Sequence, residues 1–382
     1  MSKQICFILD WYPTKTNNGC VFAKHLIYAI ADKGLDCVVI APRISNAHTE
    51  KVPYKRIEKT QKGNEIRIFT PKYLHLTSRK QTIKMSMNNH FKAVMKTLKK
   101  EKLNPDVVYG HFIYQCGLTA SRVGKKLGVP SYCACGENSL RFEKGNEPYT
   151  TGFKYGGWKE IVSSLSGVVS VSSNNKDLLL ENDLIPKDMK IGVFPNGVDA
   201  SKFYMLDKKK ARAKLGFPED AFITVFTGAF TERKGIDKLN DALKNCKNVS
   251  SVFLGSGSIE PDCENILFCG KVSNDQVSTY LNAADVFVLP TKGEGCCNAI
   301  VEALACGLPV ISSDLPFNDD ILNESNSIRV DVNSVSQIEN AIKKLRDDAG
   351  LYNTLKKGAV LSAEKLSINV RAENILRFMG LV

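Results

Sequence analysis

Residues 286–314 read VFVLPTKGEGCCNAIVEALACGLPVISSD. Val286 to Leu289 is an unbroken apolar run closed by Pro290, the pattern of a strand buried on both faces. Thr291 to Cys297 is a loop holding Gly293 and Gly295. Asn298 is a cap residue for a helix whose apolar positions are Ile300, Val301, Leu304 and Ala305. Gly307 stands where a left-handed C-terminal cap belongs, and Pro309 follows it. Val310 and Ile311 open a second buried strand. The stretch is a βαβ unit, and its first loop faces the carboxyl end of a sheet, where open α/β folds bind ligands.

Two carboxylates mark this unit. Glu294 lies in the loop before the helix, and Glu302 lies one turn inside it. Between them the helix start offers unpaired amides and the positive end of its dipole, a ready phosphate site. An anion site with a carboxylate on each side suits a ligand with hydroxyls at both ends of a diphosphate, which is the shape of a nucleotide-sugar. Taken singly, the two glutamates read as solvated residues of a surface helix; the complete loop-and-helix pattern favours the ligand site.

The segment from Pro290 to Val310 resembles the signature of retaining glycosyltransferases of family 4, which have the GT-B fold. Their mark is a Glu, seven residues, a second Glu, then A-x-A-x-G-x-P-V. The resemblance implies an α/β chain of two Rossmann-like domains facing a cleft, with a C-terminal helix crossing back to the first. It implies that Glu294 meets the donor sugar hydroxyls and Glu302 the ribose, with Gly295, Cys296, Cys297 and Asn298 lining the donor.

The 382 residues suffice for two domains, and 43% apolar with 24% charged residues is ordinary for a globular protein. No run approaches the eighteen or so apolar residues of a membrane span. The N-terminus, MSKQICFILD, is broken by Asp10 and reads as a first strand, not a signal peptide. A cytoplasmic location is expected, peripheral to the inner face of the cell membrane. Twelve cysteines are scattered without C-x-x-C or zinc spacing, several of them (Cys6, Cys37, Cys269) in apolar segments, which predicts buried free thiols. The formal charge of +12 is uneven: residues 1–190 hold 30 Lys+Arg against 16 Asp+Glu, and residues 51–103 hold 15 against 3. A local excess of this kind suits a surface that meets something anionic.

In the first half, Ile5 to Leu9 is a strand and Phe22 to Ala31 a helix. Gly19 before that helix lets backbone approach a phosphate. The family has a glycine pair at this place, and here it reads Asn18-Gly19, so only Gly19 carries the donor-phosphate role. Residues 80–102 form a helix in which Met85, Phe91, Val94, Met95 and Leu98 are apolar, ringed by lysines. A basic amphipathic stretch can lie on an anionic membrane, although a core-facing helix with a solvated lysine face has the same pattern. His111 follows strand Asp106–Gly110, and the family places a His here near the donor sugar. Glu137 ends strand SYCACGEN, a candidate for the acceptor. Tyr149 to Trp158 reads as a loop shaping the acceptor site. Asn196 and Gly197 make a tight turn, and the family places Asn196 near the donor. The expected domains are 1–192, joined by helix 362–382, for the acceptor, and 193–361 for the donor.

In the second half, helix Lys208–Leu215 and strand Phe222–Thr227 lead to the loop G-A-F-T-E-R-K-G. Gly228 is expected at the donor. Arg233 and Lys234 bring cations that neutralise a leaving diphosphate. Ala229 stands where the family has its first Arg, and Arg233 takes that place in this reading. Val272 follows strand Ile266–Gly270, where the nucleotide base sits in the family. No D-x-D pair is placed to hold a divalent ion, so no metal and no cofactor are expected. The catalytic set is His111, Arg233, Lys234 and Glu294.

The reading is a retaining, metal-independent hexosyltransferase that uses a nucleotide-sugar, a UDP-sugar before others. Its acceptor is a glycan or lipid-linked chain in bacterial surface polysaccharide or glycolipid synthesis. A nucleotide-sugar epimerase or a phosphorylase on the same fold is the enzymatic alternative. A basic nucleic-acid-binding protein is the alternative from another class; the basic segment lacks interleaved aromatics, so no nucleic acid is expected.

Overall fold

The computed structural model describes residues 2–14, 19–45, 50–75, 80–138 and 157–382, the side chains of 80–83 excepted. Asn18 and the stretch 149–156 of the expected acceptor loop lie outside the described residues. The chain divides into two compact units, Met1–Phe194 with Arg371–Val382, and Pro195–Val370. Residues 362–370 thus belong with the second unit.

The first unit contains β1 (Gln4–Ile8), β2 (Asp36–Ile40), β3 (Arg43–Ile44), β4 (Lys55–Lys59), β5 (Glu65–Phe69), β6 (Lys72–Tyr73), β7 (Val107–Gly110), β8 (Ser131–Cys135), β9 (Gly167–Ser170) and β10 (Ile191–Val193). Eight of them form one sheet in the order β10-β9-β8-β7-β1-β2-β5-β4. Its pairs are parallel except β4–β5 at the edge. The two short strands β3 and β6 pair with each other. Strands β1, β2, β7 and β8 are buried almost end to end, which is why they read as continuous apolar runs. Edge strand β4, KRIEK, has no fully buried position, and its charges discourage pairing with another chain. The order reverses at β1, between β7 and β2.

Helix Lys80–Lys100 buries Met87, His90, Val94 and Leu98 on one stripe and exposes Lys84, Lys92, Lys96, Lys99 and Lys100. This is the helical period the sequence predicts. Met85, counted among the apolar face, is instead 54% exposed.

The second unit contains β11 (Phe222–Phe230), β12 (Val249–Gly257), β13 (Ile266–Gly270), β14 (Val286–Leu289), β15 (Val310–Ser313) and β16 (Ser327–Val330). They form one sheet in the order β13-β12-β11-β14-β15-β16, parallel throughout. Consecutive strands run outward from β11 on one side and from β14 on the other, so the switch point falls between these two. Strand β11 runs three residues past the expected Thr227, because its ladder with β12 pairs Gly228, Ala229 and Phe230 with Gly255, Ser256 and Gly257. Helix Asn274–Ala283 opens on a capping box of Ser273 and Gln276. The expected helix 362–382 is broken at 366–367, between helices Ala349–Lys365 and Ile368–Phe378. Val198 fastens it, donating to the Leu366 carbonyl at 2.8 Å and accepting from the Ile368 amide at 2.9 Å.

Of the twelve cysteines, all free, Cys6 and Cys37 are buried, while Cys269 is exposed, against expectation. Among the described residues no helix is long and apolar enough to cross a membrane.

Candidate active site

Strands β11 and β14 are neighbours, and their carboxyl ends carry the two loops singled out in the sequence. Thr231 leads into a short 3-10 turn, Glu232–Lys234, and Gly235 caps helix Ile236–Lys244. Gly235 has φ +70°, and a Cβ there would lie 2.0 Å from the Pro290 carbonyl oxygen. Only glycine permits both the turn and this approach. The loops are then laced together. The Lys292 amide donates to the Arg233 carbonyl at 2.8 Å, and Arg233 Nη1 donates to the Gly293 carbonyl at 2.8 Å.

The lacing brings two cations onto one carboxylate. Glu294 Oε1 accepts from Lys234 Nζ at 2.6 Å, Thr291 Oγ1 at 2.9 Å and Arg233 Nη1 at 3.2 Å. The Lys234 side chain is 13% exposed and that of Arg233 40%. Burial opposes the charge on Lys234. The fields of Cys297 and Glu294, with the Glu294 hydrogen bond, outweigh it and hold the ammonium pKa above its ordinary value. Gly228 lies beside the Lys234 stem: a Cβ there would be 3.7 Å from Lys234 Cδ. Ala229 is exposed, so Arg233 is the guanidinium that reaches this carboxylate.

Helix Asn298–Ala305 begins one residue earlier than Asn298 as cap requires: Cys297 holds the N-cap position, and its side chain makes no cap hydrogen bond. The reason is distant in sequence. Asn196 Nδ2 donates to the Cys296 carbonyl at 3.0 Å, and the Asn196 amide lies 3.2 Å from Cys296 Sγ. This clamp fixes the chain's entry to the helix and leaves Asn298 inside it. Burial pushes the Cys297 thiol up to about 11 against the pull of Lys234. Gly307, with φ +73°, ends the helix as expected, its amide donating to Leu304 at 2.9 Å. Burial pushes the Glu302 carboxyl, one turn inside the helix, up to about 7. Gly295 is buried in the loop, and Val272 is half-buried after β13, at the same end of the sheet.

In the second unit, Arg233, Lys234, Glu294, Gly295, Cys296, Cys297, Asn298 and Glu302 thus lie on the loops after β11 and β14 and the helix that follows, Gly228 lies within β11, and Asn196 reaches Cys296 from the start of the unit. Val272 stands on the loop of β13.

In the first unit, Gly19 precedes Cys20, the left-handed N-cap of helix Val21–Ala31, whose first turn has no side-chain hydrogen bond closing it. His111 follows β7, and its amide donates to the Ile8 carbonyl at 2.9 Å. The ring packs on Phe112 and Phe22 with centroids 4.8 and 5.2 Å away. Burial, helped by the Arg371 charge, pulls His111 down to about 3, so it is neutral at pH 7. Its Nε2 is buried without a hydrogen-bond partner among the described residues. Glu137 is buried and accepts from the Ile113 amide at 2.7 Å. It thus holds the irregular turn after β7.

Two residues escaped the sequence reading. Thr291 is fully buried beneath Glu294, and Asp10, after β1, has its carboxyl pushed up to about 6 by burial. The signal for both was position: each follows a strand at a switch point.

An α/β chain of two Rossmann-like units, with cations and a helix start at the switch point of the second, has the architecture of the GT-B class. Family models agree: one for glycosyl transferases group 1 matches residues 207–360, and one for glycosyltransferase family 4 matches residues 21–202. The chain belongs to this glycosyltransferase family. It is 26% identical to TuaC of Bacillus subtilis, which carries the name of a teichuronic acid biosynthesis glycosyltransferase, over 89% of this chain and 88% of that one. It is 27% identical to the UDP-Gal:α-D-GlcNAc-diphosphoundecaprenol α-1,3-galactosyltransferase of Escherichia coli, over 67% of this chain and 70% of that one. Among solved structures, the sucrose-phosphate synthase of Thermosynechococcus elongatus superposes with a TM-score of 0.78 at 17% identity, over 99% of this chain and 98% of that one. HepE of Anabaena, solved in complex with UDP, gives 0.74 at 14% identity, over 99% of this chain and 100% of that one.

Proposed function

We propose that the protein moves a sugar from a nucleotide-diphosphate sugar, a UDP-sugar before others, onto a glycan or lipid-linked acceptor, in the synthesis of bacterial surface polysaccharide or glycolipid. The observation that carries this is the meeting of Lys234, Arg233 and Glu294 beside an uncapped helix start at the switch point of the second unit. Transfer breaks the anomeric C–O bond, and negative charge grows on the departing diphosphate. Lys234, Arg233 and the first amides of helix Asn298–Ala305 take up that charge without a metal ion. Glu294 turns its carboxylate to the sugar hydroxyls and Glu302 to the ribose. Gly228, Gly295, Cys296, Cys297 and Asn298 shape the donor loop, with Asn196 clamping it and Val272 beside the base. Gly19 and neutral His111 serve the donor from the first unit, and Glu137 stands toward the acceptor. The anomeric configuration is retained, the leaving phosphate assisting attack on the same face. No cofactor takes part.

The names of the relatives support the class of acceptor: one is named for teichuronic acid biosynthesis and another for galactosyl transfer to a diphosphoundecaprenol-linked GlcNAc. The exposed lysines of helix Lys80–Lys100, within basic residues 51–103, support peripheral contact with an anionic membrane.

The test is a panel of UDP-, GDP- and ADP-sugars, read as sugar release and transfer. A UDP-sugar is expected to turn over, with activity lost in Glu294→Ala and Lys234→Ala. Normal turnover in either variant refutes the site. Interconversion of the sugar without transfer, or a need for inorganic phosphate, selects the epimerase or phosphorylase reading. Tight binding of DNA or RNA with no nucleotide-sugar bound removes the enzymatic reading.

A further inference from the structure

The first unit holds a second constellation of chemically active side chains. Asp10 lies just past β1, Cys116 in the irregular turn after β7, and His90 on the inner face of helix Lys80–Lys100. These three come from distant segments, yet one ligand atom of each lies within 4.8 Å of the other two. His90 and Cys116 are completely buried. Asp10 Oδ1 is 3.1 Å from Cys116 Sγ.

We propose that Asp10, His90 and Cys116 bind a divalent metal ion of the zinc class. The donor set is one thiolate, one imidazole and one carboxylate, which suits a borderline-soft ion. In tetrahedral zinc geometry neighbouring ligand atoms stand about 3.4–3.6 Å apart, so the widest pair has to close by little more than about 1 Å. The imidazole is already arranged as a ligand. His90 Nδ1 is 2.8 Å from Thr119 Oγ1, and Nε2 is buried with no hydrogen-bond partner among the described residues. A metal-bound histidine typically donates its other ring N–H to such a neighbour, which fixes the tautomer. Thr119 fills that role here.

Charge also favours the assignment. A dication with one thiolate, one carboxylate and a neutral imidazole sums to zero, the least costly charge to bury. On coordination the Cys116 thiol proton passes to solvent as the sulfur–metal bond forms. Three protein ligands leave a fourth position to water. The site lies wholly in the first unit and is independent of the donor residues of the second.

The test uses the purified full-length chain, stripped with a chelator and titrated with Co2+ and then Zn2+. One Co2+ per chain is expected, with a near-ultraviolet thiolate-to-cobalt charge-transfer band that one equivalent of Zn2+ abolishes. Cys116→Ser removes the band, and Asp10→Asn weakens binding, with circular dichroism checking that each is folded. Thr119→Val, which touches no metal, weakens binding about 10–100-fold while the band persists. Absence of the band in the unmodified protein overturns the proposal. So does binding of equal strength in folded Cys116→Ser, or unchanged affinity in Thr119→Val; the cluster is then a hydrogen-bonded core feature only.

Discussion

Replacing Lys234 by Met separates the two jobs its ammonium has here. Methionine keeps an apolar stem beside Gly228 and removes only the charge. In the free protein, that charge supplies the shortest of three hydrogen bonds to Glu294 Oε1, at 2.6 Å. Both side chains are mostly buried, at 13% and 14% exposure, so the pair lies between a surface ion pair worth about 0–1 kcal/mol and a fully buried pair whose breakage costs about 3–5 kcal/mol. Thr291 and Arg233 remain on the same oxygen. The expected loss of stability is therefore about 1–2 kcal/mol, read by urea denaturation. The loss of catalysis should be larger. Removing one preorganised donor from a developing anion costs about 10²–10³-fold in kcat. The assay measures kcat and KM for transfer from a UDP-sugar alongside stability, with Lys234→Arg expected to recover part of kcat. A variant that loses stability but keeps kcat within about threefold refutes the reasoning, because Lys234 then only braces Glu294.

Glu302 predicts a pH dependence. Its folded pKa of about 7 stands above the ordinary carboxylate value, so the folded state holds its proton more tightly than the unfolded chain. The stability this contributes is full below about pH 4.5 and is lost as pH rises through 7. Glu302→Gln should flatten that slope and stabilise the ligand-free protein at pH 8 by at most about 3 kcal/mol; an unchanged pH profile of unfolding speaks against the buried carboxyl. Gly235→Ala places a Cβ against the Pro290 carbonyl at positive φ, with an expected cost of about 2–4 kcal/mol in urea denaturation; a cost under about 0.5 kcal/mol means the loops are not locked there. Neutralising Lys92, Lys96, Lys99 and Lys100 should weaken binding to anionic liposomes by at least about tenfold, and unaltered binding removes the membrane contact.

The central βαβ unit was legible because its signals are local. Val286–Leu289 and Val310–Ser313 are buried on both faces and therefore apolar throughout, and Gly307 ends the helix at the left-handed position its place demands. Helix Lys208–Leu215 was legible to the residue, since Asp207 and Gly216 bracket it as caps. The helix start at 297–298 was not. Asn298 has the better cap chemistry, but Asn196, a hundred residues away, holds Cys296 and shifts the start by one position. The end of β11 was misplaced for a related reason: two glycines in Gly228 and Gly255 look like loop, yet their strands approach closely enough to extend the ladder. The binding of Glu294 by both cations joins residues sixty apart, and no spacing rule contains it. The grouping of Asp10, His90 and Cys116 is equally invisible in sequence, since sheet order alone brings β1 beside β7.

The most direct test is a crystal structure of the protein with a bound UDP-sugar. The diphosphate is expected between the Lys234 ammonium and the first amides of helix Asn298–Ala305, with the Glu294 carboxylate turned to the sugar and Glu302 on the ribose. A nucleotide seated away from the β11 and β14 loops, with the Lys234–Glu294 pair untouched, contradicts the account.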